Sequence, residues 1–238
     1  MKDLFGQAIL DYQTSNSPED LITETTISEE DEMSVAYLFR NIETMPVIEQ
    51  TALAMATGKT LDVGAGAGSH SLYLQNDKNL DITAIDISPK AIATCQLRGI
   101  QKAFVTDIMT FDTDKYDTIL LLMNGTGIFG TLKETPNFLQ KIQSLLKPNG
   151  QILIDSSDII YMFDEDEDGA YAVPANSYYG ELEFTISYKE EREESFPWLY
   201  LDYNTLQNIA LDNNLQCELV VEGEHYDYLA RLTLQAQV

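Results

Sequence analysis

A short strand-like run, Leu61-Asp62-Val63, opens directly onto three alternating glycines, Gly64, Gly66 and Gly68, and a helix-forming stretch follows from Ser69. Few sequence features restrict a fold more. Glycine tolerates tight backbone turns and lets another molecule approach the main chain, while a helix start offers free N–H groups. Strand, glycine turn and helix in that order therefore imply a ligand at the carboxyl edge of a sheet. The spacing narrows the choice of ligand. A dinucleotide fingerprint needs Gly-x-Gly-x-x-Gly, but Ser69 stands where the third glycine after Gly64 and Gly66 belongs, and Ser71 stands there after Gly66 and Gly68. Instead an acid, Asp62, lies two residues before the first glycine.

Around this turn, apolar runs alternate with helical stretches. The runs Thr60 to Val63, Ile82 to Ile87, Ala103 to Thr106, Asp117 to Met123 and Gln151 to Asp155 read as strands of a parallel α/β sheet. Ser88-Pro89 opens one intervening helix, which Gly99 closes; another ends at Pro148-Asn149-Gly150. A helix near Asn204 to Asp212 then leads to two strands, Leu215 to Val221 and Tyr228 to Leu234, whose short joint makes them antiparallel. Ahead of the glycines, helices are expected at Asp3 to Tyr12, across Glu30 to Asn41 and from Pro46 to Gly58, with a mobile loop at 14–32. Period-two alternation at Leu182, Phe184, Ile186 and Tyr188 predicts an inserted β element.

Charge divides the chain in the same places. Of 14 basic and 39 acidic residues, the segment 59–155 carries nine and ten, whereas 1–58 carries two and eleven and 156–203 carries two and thirteen. We therefore expect a helical cap at 1–58, a core at 59–155 and 204–238, and an inserted lid at 156–203. A net charge of −25 speaks against binding a nucleic acid backbone and favours a neutral or cationic small acceptor over an anionic one. No apolar run reaches the roughly 20 residues of a membrane span, and Met1 to Leu10 lacks an apolar signal core, so a cytoplasmic protein is expected. Cys95 and Cys217 show no ligand-like spacing and read as buried thiols. The acidic run Asp164 to Asp168 lacks the spacing of a calcium loop and reads as solvated. Nothing in the sequence speaks for a particular oligomeric state.

Further polar residues close successive strands. Asp86, with Ile87 beside it, ends the second, where a carboxylate can accept both hydroxyls of a ribose. Asp107 and Ile108 end the third and suit an adenine, the acid accepting from its exocyclic amine and the apolar side chain covering its face. Met123, Asn124 and Gly125 end the fourth, beside the switch point where open α/β sheets bind ligands.

With these residues in register, the sequence resembles the class I S-adenosylmethionine-dependent methyltransferases over about 45–155 and 204–238. The resemblance rests on DVGAGAG at Asp62 to Gly68, AIDIS at Ala84 to Ser88, TDI at Thr106 to Ile108 and LLKPNGQILI at Leu145 to Ile154. It implies a Rossmann-like three-layer fold with seven strands, mostly parallel with the last antiparallel, and S-adenosylmethionine as cofactor. By resemblance Asp62 orders the loop near the methionine moiety, Asp86 holds the ribose and Asp107 holds the adenine. The Asn-Pro-Pro-Tyr type signature of amide-nitrogen methylation is absent, since Met123-Asn124-Gly125-Thr126-Gly127 stands there. No carboxylate set for a metal follows the fourth strand.

Other candidates come from position alone. Arg40 is expected to clamp the cofactor's carboxylate. His225, in the joint between the last two strands, is a candidate general base, with the lid tyrosine Tyr178 as another proton acceptor and Asn124 as a further catalytic candidate. His70 opens the helix beside the glycines. The expected activity is methyl transfer to a small-molecule oxygen or nitrogen. Two other readings stay open: an oxidoreductase on a dinucleotide fold, and a protein that binds the cofactor without transferring its methyl group.

Overall fold

The computed structural model describes residues 2–235. In chain order it runs α1 (Leu4–Thr14), β1 (Leu21–Thr25), β2 (Ser28–Met33), α2 (Val47–Met55), β3 (Thr60–Val63), α3 (Ser69–Asn76), β4 (Ile82–Asp86), α4 (Pro89–Leu97) and β5 (Ala103–Val105). There follow β6 (Tyr116–Leu121), α5 (Thr135–Ser144), β7 (Leu146–Ser157), β8 (Glu181–Tyr188), β9 (Glu191–Arg192), β10 (Phe196–Leu199), α6 (Tyr203–Asp212), β11 (Leu215–Glu222) and β12 (Asp227–Leu234). Single 3₁₀ turns lie at Val35–Phe39 and Gly125–Phe129.

Seven strands form one sheet in the order β11-β12-β7-β6-β3-β4-β5. β7, β6, β3, β4 and β5 are mutually parallel, and β12 is antiparallel to both β7 and β11. Alternation of side chains assigns its two faces. Ile119, Leu121, Ile152 and Ile154 join Leu139 and Ile142 of α5 and Leu206 and Ala210 of α6, while Leu120, Leu153 and Leu229 join Ile48, Ala52 and Leu53 of α2 and Leu74 of α3. Caps set the helix starts: the Ser88 hydroxyl accepts from the Ala91 N–H at 2.9 Å, and Asp202 accepts from Thr205 at 2.9 Å. This is the expected Rossmann-like methyltransferase architecture. The chain goes from β3 to β4 on one side and returns to β6 on the other, so the carboxyl ends of β3 and β6 flank the switch point of the sheet.

The second sheet corrects part of the sequence reading. Residues 14–32, expected as a loop, supply the hairpin β1–β2, and Glu30 to Asn41 is not a helix but the end of β2 followed by a 3₁₀ turn. All of this sheet's pairings are antiparallel, in the order β10-β8-β1-β2 with β9 also on β8. The inserted β element expected around Leu182 to Tyr188 is β8, and it pairs directly with β1, Ile22 opposite Ser187. Leu21, Val35, Ile186 and Tyr188 pack with Leu4 and Ala8 of α1. Among the described residues no helix is long and apolar enough to cross a membrane.

Candidate active site

Gly64, Gly66 and Gly68 all have positive φ, of 73°, 53° and 79°. At Gly68 a side chain would also strike the Ile100 Cδ1 at 2.4 Å and the Cys95 Sγ at 2.9 Å, whereas nothing lies within 4 Å of the place where a Gly64 Cβ would stand. The first glycine thus presents bare backbone to open space and the third fixes close packing. The turn satisfies its own amides. Gly64 and Ala65 donate to the Ile85 carbonyl at 2.9 and 3.1 Å, Gly68 donates to Ala65 at 2.7 Å, and Gly66 donates to the Asp86 carboxylate at 2.9 Å. It is therefore a surface for close approach rather than a cradle of free donors.

Asp62 is buried beneath the turn and accepts from the Ser71 hydroxyl at 2.6 Å. Desolvation pushes its carboxyl above the ordinary value, with neighbouring His70 and the bonds from Ser71 pulling back. Its contact is with the first turn of α3. Asp86 closes β4, one oxygen accepting from Gly66 and the other from the Ser88 N–H at 2.8 Å. Burial raises its pKa against those two bonds. Asp107 is exposed and accepts from the Met109 N–H at 2.8 Å. Ile108 is packed into the main core, and the apolar side chains left with open surface at this edge include Ile87 and Met109.

A second group gathers at the start of α2 and α3. The Glu49 carboxylate is paired with Arg40 at one oxygen and with the His70 Nε2 at the other, at 2.6 Å, with Arg40 and Glu49 side chains each only 5% exposed. His70 and Arg40 hold the Glu49 pKa low even though burial alone would raise it. Arg40 lies over the Tyr37 ring at 3.9 Å and donates to the Tyr37 carbonyl at 2.6 Å, while its buried Nε has no partner among the described residues. Glu49 was not picked out from sequence. The signal was there, an acid at a core-facing position between Ile48 and Ala52 of a helix.

At the end of β7, Asp155 accepts from the Met123 N–H at 3.0 Å and the Gly125 N–H at 2.9 Å, holding Met123 and Asn124 in left-handed backbone. Burial raises its carboxyl to about 6. It lines a cavity of about 240 Å³ together with Tyr37, Ile48, Glu49, Met123, Ser157 and Asp227. A larger hollow of about 520 Å³, lined by Gly58, Asp117 and Pro148, opens at the opposite, amino edge.

The three catalytic candidates sit apart from that cavity's lining. Asn124 donates to the Leu199 carbonyl at 3.3 Å and accepts from Ser156 at 3.0 Å, so its amide ties the 125–129 turn to β10. The Tyr178 hydroxyl donates to Asp202 at 2.7 Å and accepts from the Asp202 N–H at 2.9 Å, and burial pushes its pKa far up. The phenol's own proton is thereby committed to Asp202. His225 is exposed on the turn before β12, its backbone N–H donating to the Asp227 carboxylate at 3.0 Å.

A family model described as a methyltransferase domain matches residues 56–197. Among solved structures, the chain is similar to an S-adenosylmethionine-dependent methyltransferase from Bacteroides fragilis in complex with S-adenosyl-L-homocysteine, at 45% identity over 99% of this chain and 96% of that one, with a TM-score of 0.91. It shares its fold with a sugar N-methyltransferase from Streptoalloteichus, at 14% identity over 79% and 85% of the two chains and a TM-score of 0.56. The same holds for a 1,6-didemethyltoxoflavin-N1-methyltransferase from Burkholderia thailandensis, at 15% identity over 83% and 82%, with a TM-score of 0.54. No curated protein matches the chain.

Proposed function

The chain belongs to the S-adenosylmethionine-dependent methyltransferases, with S-adenosylmethionine as its cofactor, and from that premise we propose that it methylates a nitrogen or oxygen of a small molecule. The observation that carries this reading is the position of the 240 Å³ cavity, at the carboxyl end of β6 and β7 beside Met123.

The residues at the carboxyl edge fit the cofactor. Gly64 leaves open space where a side chain would stand. Asp86 spends one acceptor position on each oxygen, leaving a further lone pair on each for the ribose hydroxyls. Asp107 at the end of β5 is placed for the adenine amine, with Ile87 and Met109 as apolar cover. Arg40, held by Glu49 and the Tyr37 carbonyl, is the basic residue proposed for the carboxylate of the methionine moiety. When bound, the cofactor supplies a methyl group on a positively charged sulfur that leaves as a neutral thioether. The protein's part is alignment and exclusion of water. Asp62 and Ser71 fix α3 beneath the glycine turn, Asp155 fixes Met123, and α1 covers the turn, with Phe5 and Ile9 packing near Ala67.

Asp86→Ala should weaken S-adenosylhomocysteine binding about tenfold to a hundredfold, since it removes charge-assisted bonds worth about 1.5–3 kcal/mol. Calorimetry reads that directly, and an unchanged affinity removes Asp86 from the ribose site. Mass spectrometry of acceptor mixtures incubated with S-adenosylmethionine tests the transfer itself; no methylated product from any small acceptor overturns the reading.

A further inference from the structure

The cavity at the end of β7 is lined by the carboxylates Glu49, Asp155 and Asp227 and by no basic side chain. Glu49 is already paired with Arg40, which lies over the Tyr37 ring. Asp155 and Asp227 have no such partner among the described residues and share the lining with Ser157. We propose that this acidic lining takes the methyl acceptor as an ammonium, Asp155 and Asp227 selecting a primary or secondary amine and Asp155 receiving its proton before N-methylation. The inference rests on the methyl-transfer reading above and names its acceptor class.

Asp155 is only 8% exposed, and each of its oxygens spends one acceptor position on a backbone N–H, of Gly125 and of Met123, leaving one position on each for a ligand. Its carboxyl titrates near 6 because burial penalises the charge and Glu49 of α2 repels it, against the pull of the amides of Gly125, Asn124 and Met123. The other titratable groups facing it are Tyr37 of the 3₁₀ turn Val35–Phe39, Tyr200 after β10, and Asp227 and Tyr228 of β12. None is a cation, and Arg40 is committed to Glu49. A buried carboxylate in that setting gains its counter-charge from what enters the cavity. Among the described residues no three acids, histidines or cysteines are grouped to hold a metal ion, so an organic cation fits better than a divalent one. Next to Asp227 in the chain, Tyr226 stacks on Tyr161 at 4.9 Å, and both rings are exposed.

The step balances without a further reactant. The ammonium passes one proton to the Asp155 carboxylate, and the freed nitrogen lone pair forms the new N–C bond. The electron pair of the breaking C–S bond stays on sulfur. The methylated amine leaves as an ammonium, and Asp155 returns its proton to water.

The test uses the full chain with S-adenosylmethionine and a size-matched set: cyclohexylamine, benzylamine and N-methylbenzylamine against benzyl alcohol, phenol and benzoate. Turnover confined to the amines is expected, with kcat/KM rising as pH climbs through about 6. Asp155→Asn should lower kcat/KM for the amines about tenfold to a hundredfold. An Asn there cannot accept both amides, so Asp227→Asn serves as the second variant; it should raise the amine KM while leaving S-adenosylhomocysteine affinity within about twofold. Turnover of the alcohol, phenol or carboxylate with the amines inert overturns the proposal, as does an amine KM unmoved by Asp227→Asn. S-adenosylhomocysteine binding with no amine turned over also overturns it and leaves the methyl-transfer reading standing. No S-adenosylhomocysteine binding at all overturns that reading instead.

Discussion

The seven-stranded sheet and the smaller antiparallel sheet are closed by contacts of different reach. In the first, β3 pairs with β4 and β4 with β5 across single intervening helices, and the longer pairings of β3 with β6 and of β7 with β12 build on that frame. In the second, Ile22 pairs with Ser187 and Thr25 with Phe184, residues from nearly opposite ends of the chain. Closing so long a loop costs entropy before any contact is made. The second sheet therefore depends on the first to bring its halves together. It rests on the core at two places, where α1 packs on α4 and where the Trp198 ring covers Gly127. The cofactor turn lies under the first contact, and the proposed acceptor cavity adjoins the segment fixed by the second.

The largest effect should come from striking the core at the glycine turn. Gly68→Val combines a left-handed backbone with contacts at 2.4 and 2.9 Å to Ile100 and Cys95. A loss of about 2–5 kcal/mol is expected in denaturant titration. Trp198 is the only tryptophan, so its fluorescence reports the second sheet while far-ultraviolet dichroism reports the whole. In the parent protein, the fluorescence transition should come at the same denaturant concentration as the dichroism transition, or earlier. A second sheet that outlasts the core would break the dependence described above.

Gly127→Val strikes the joint instead. A Cβ there would stand 2.1 to 2.6 Å from three atoms of the Trp198 ring, so β10 must lift from the 125–129 turn. About 2–3 kcal/mol is expected, with Trp198 emission shifted and S-adenosylhomocysteine affinity held. Loss of cofactor binding in that variant would show that the two sheets are one cooperative unit.

The contrast also explains what was legible in the sequence. The core strands read correctly because they are apolar runs, β3 and β4 each followed within a few residues by a helix signal, and the glycine turn with Asp86 and Asp107 marked the edge where a ligand is expected. β1 and β2 were invisible as strands: Leu-Ile-Thr-Glu-Thr and Ser-Glu-Glu-Asp-Glu-Met are mostly polar, since one side of this sheet faces water and β2 is its edge. Beyond its hairpin partner β2, β1 pairs with β8, which no local window contains. Asp155 read only as the last residue of a strand, because its importance comes from Met123 and Gly125 turning back over it. Tyr178 was named for its position in the lid, and its commitment to Asp202 is a tertiary fact.

A smaller effect is expected at Asp11 of α1, where this helix meets the second sheet. It accepts from Lys189 at 2.8 Å, from the Tyr188 hydroxyl at 3.1 Å, and from Gln7 and Asn16. Burial pulls its pKa upward, but these four partners outweigh that and hold it below the ordinary 3.8. A carboxyl with a lowered folded pKa stabilises above its unfolded value, and that contribution fades as pH falls through the folded one. Asp11→Asn should cost about 1–2 kcal/mol at pH 7 and almost nothing below about pH 2, read as the shift in unfolding midpoint. A cost that persists in acid would mean the side chain acts by packing alone.

The least effect should come from the charges on the outer surface of the second sheet, and the reason bears on what holds it. Arg192 of β9 is paired with Glu24 of β1 and reaches Glu30 of β2 at 3.5 Å, so on paper it bridges three strands. Its side chain is 53% exposed, and so placed it keeps most of its hydration whether or not the pairs form. Such exposed pairs are worth about 0.2–1 kcal/mol and weaken with salt. Against that stand Leu21, Val35, Ile186 and Tyr188, all buried, each contributing about 1.5–3 kcal/mol by leaving water. Apolar packing against α1, not the acidic coat, should therefore set the stability of this sheet. Arg192→Ala should shift the Trp198 transition by less than about 1 kcal/mol at low salt and by nothing measurable near 1 M, whereas Ile186→Ala should cost about 2–5 kcal/mol at either. Equal effects from the two variants would show that the sheet formed by remote segments is held by its charges, in contrast to the core.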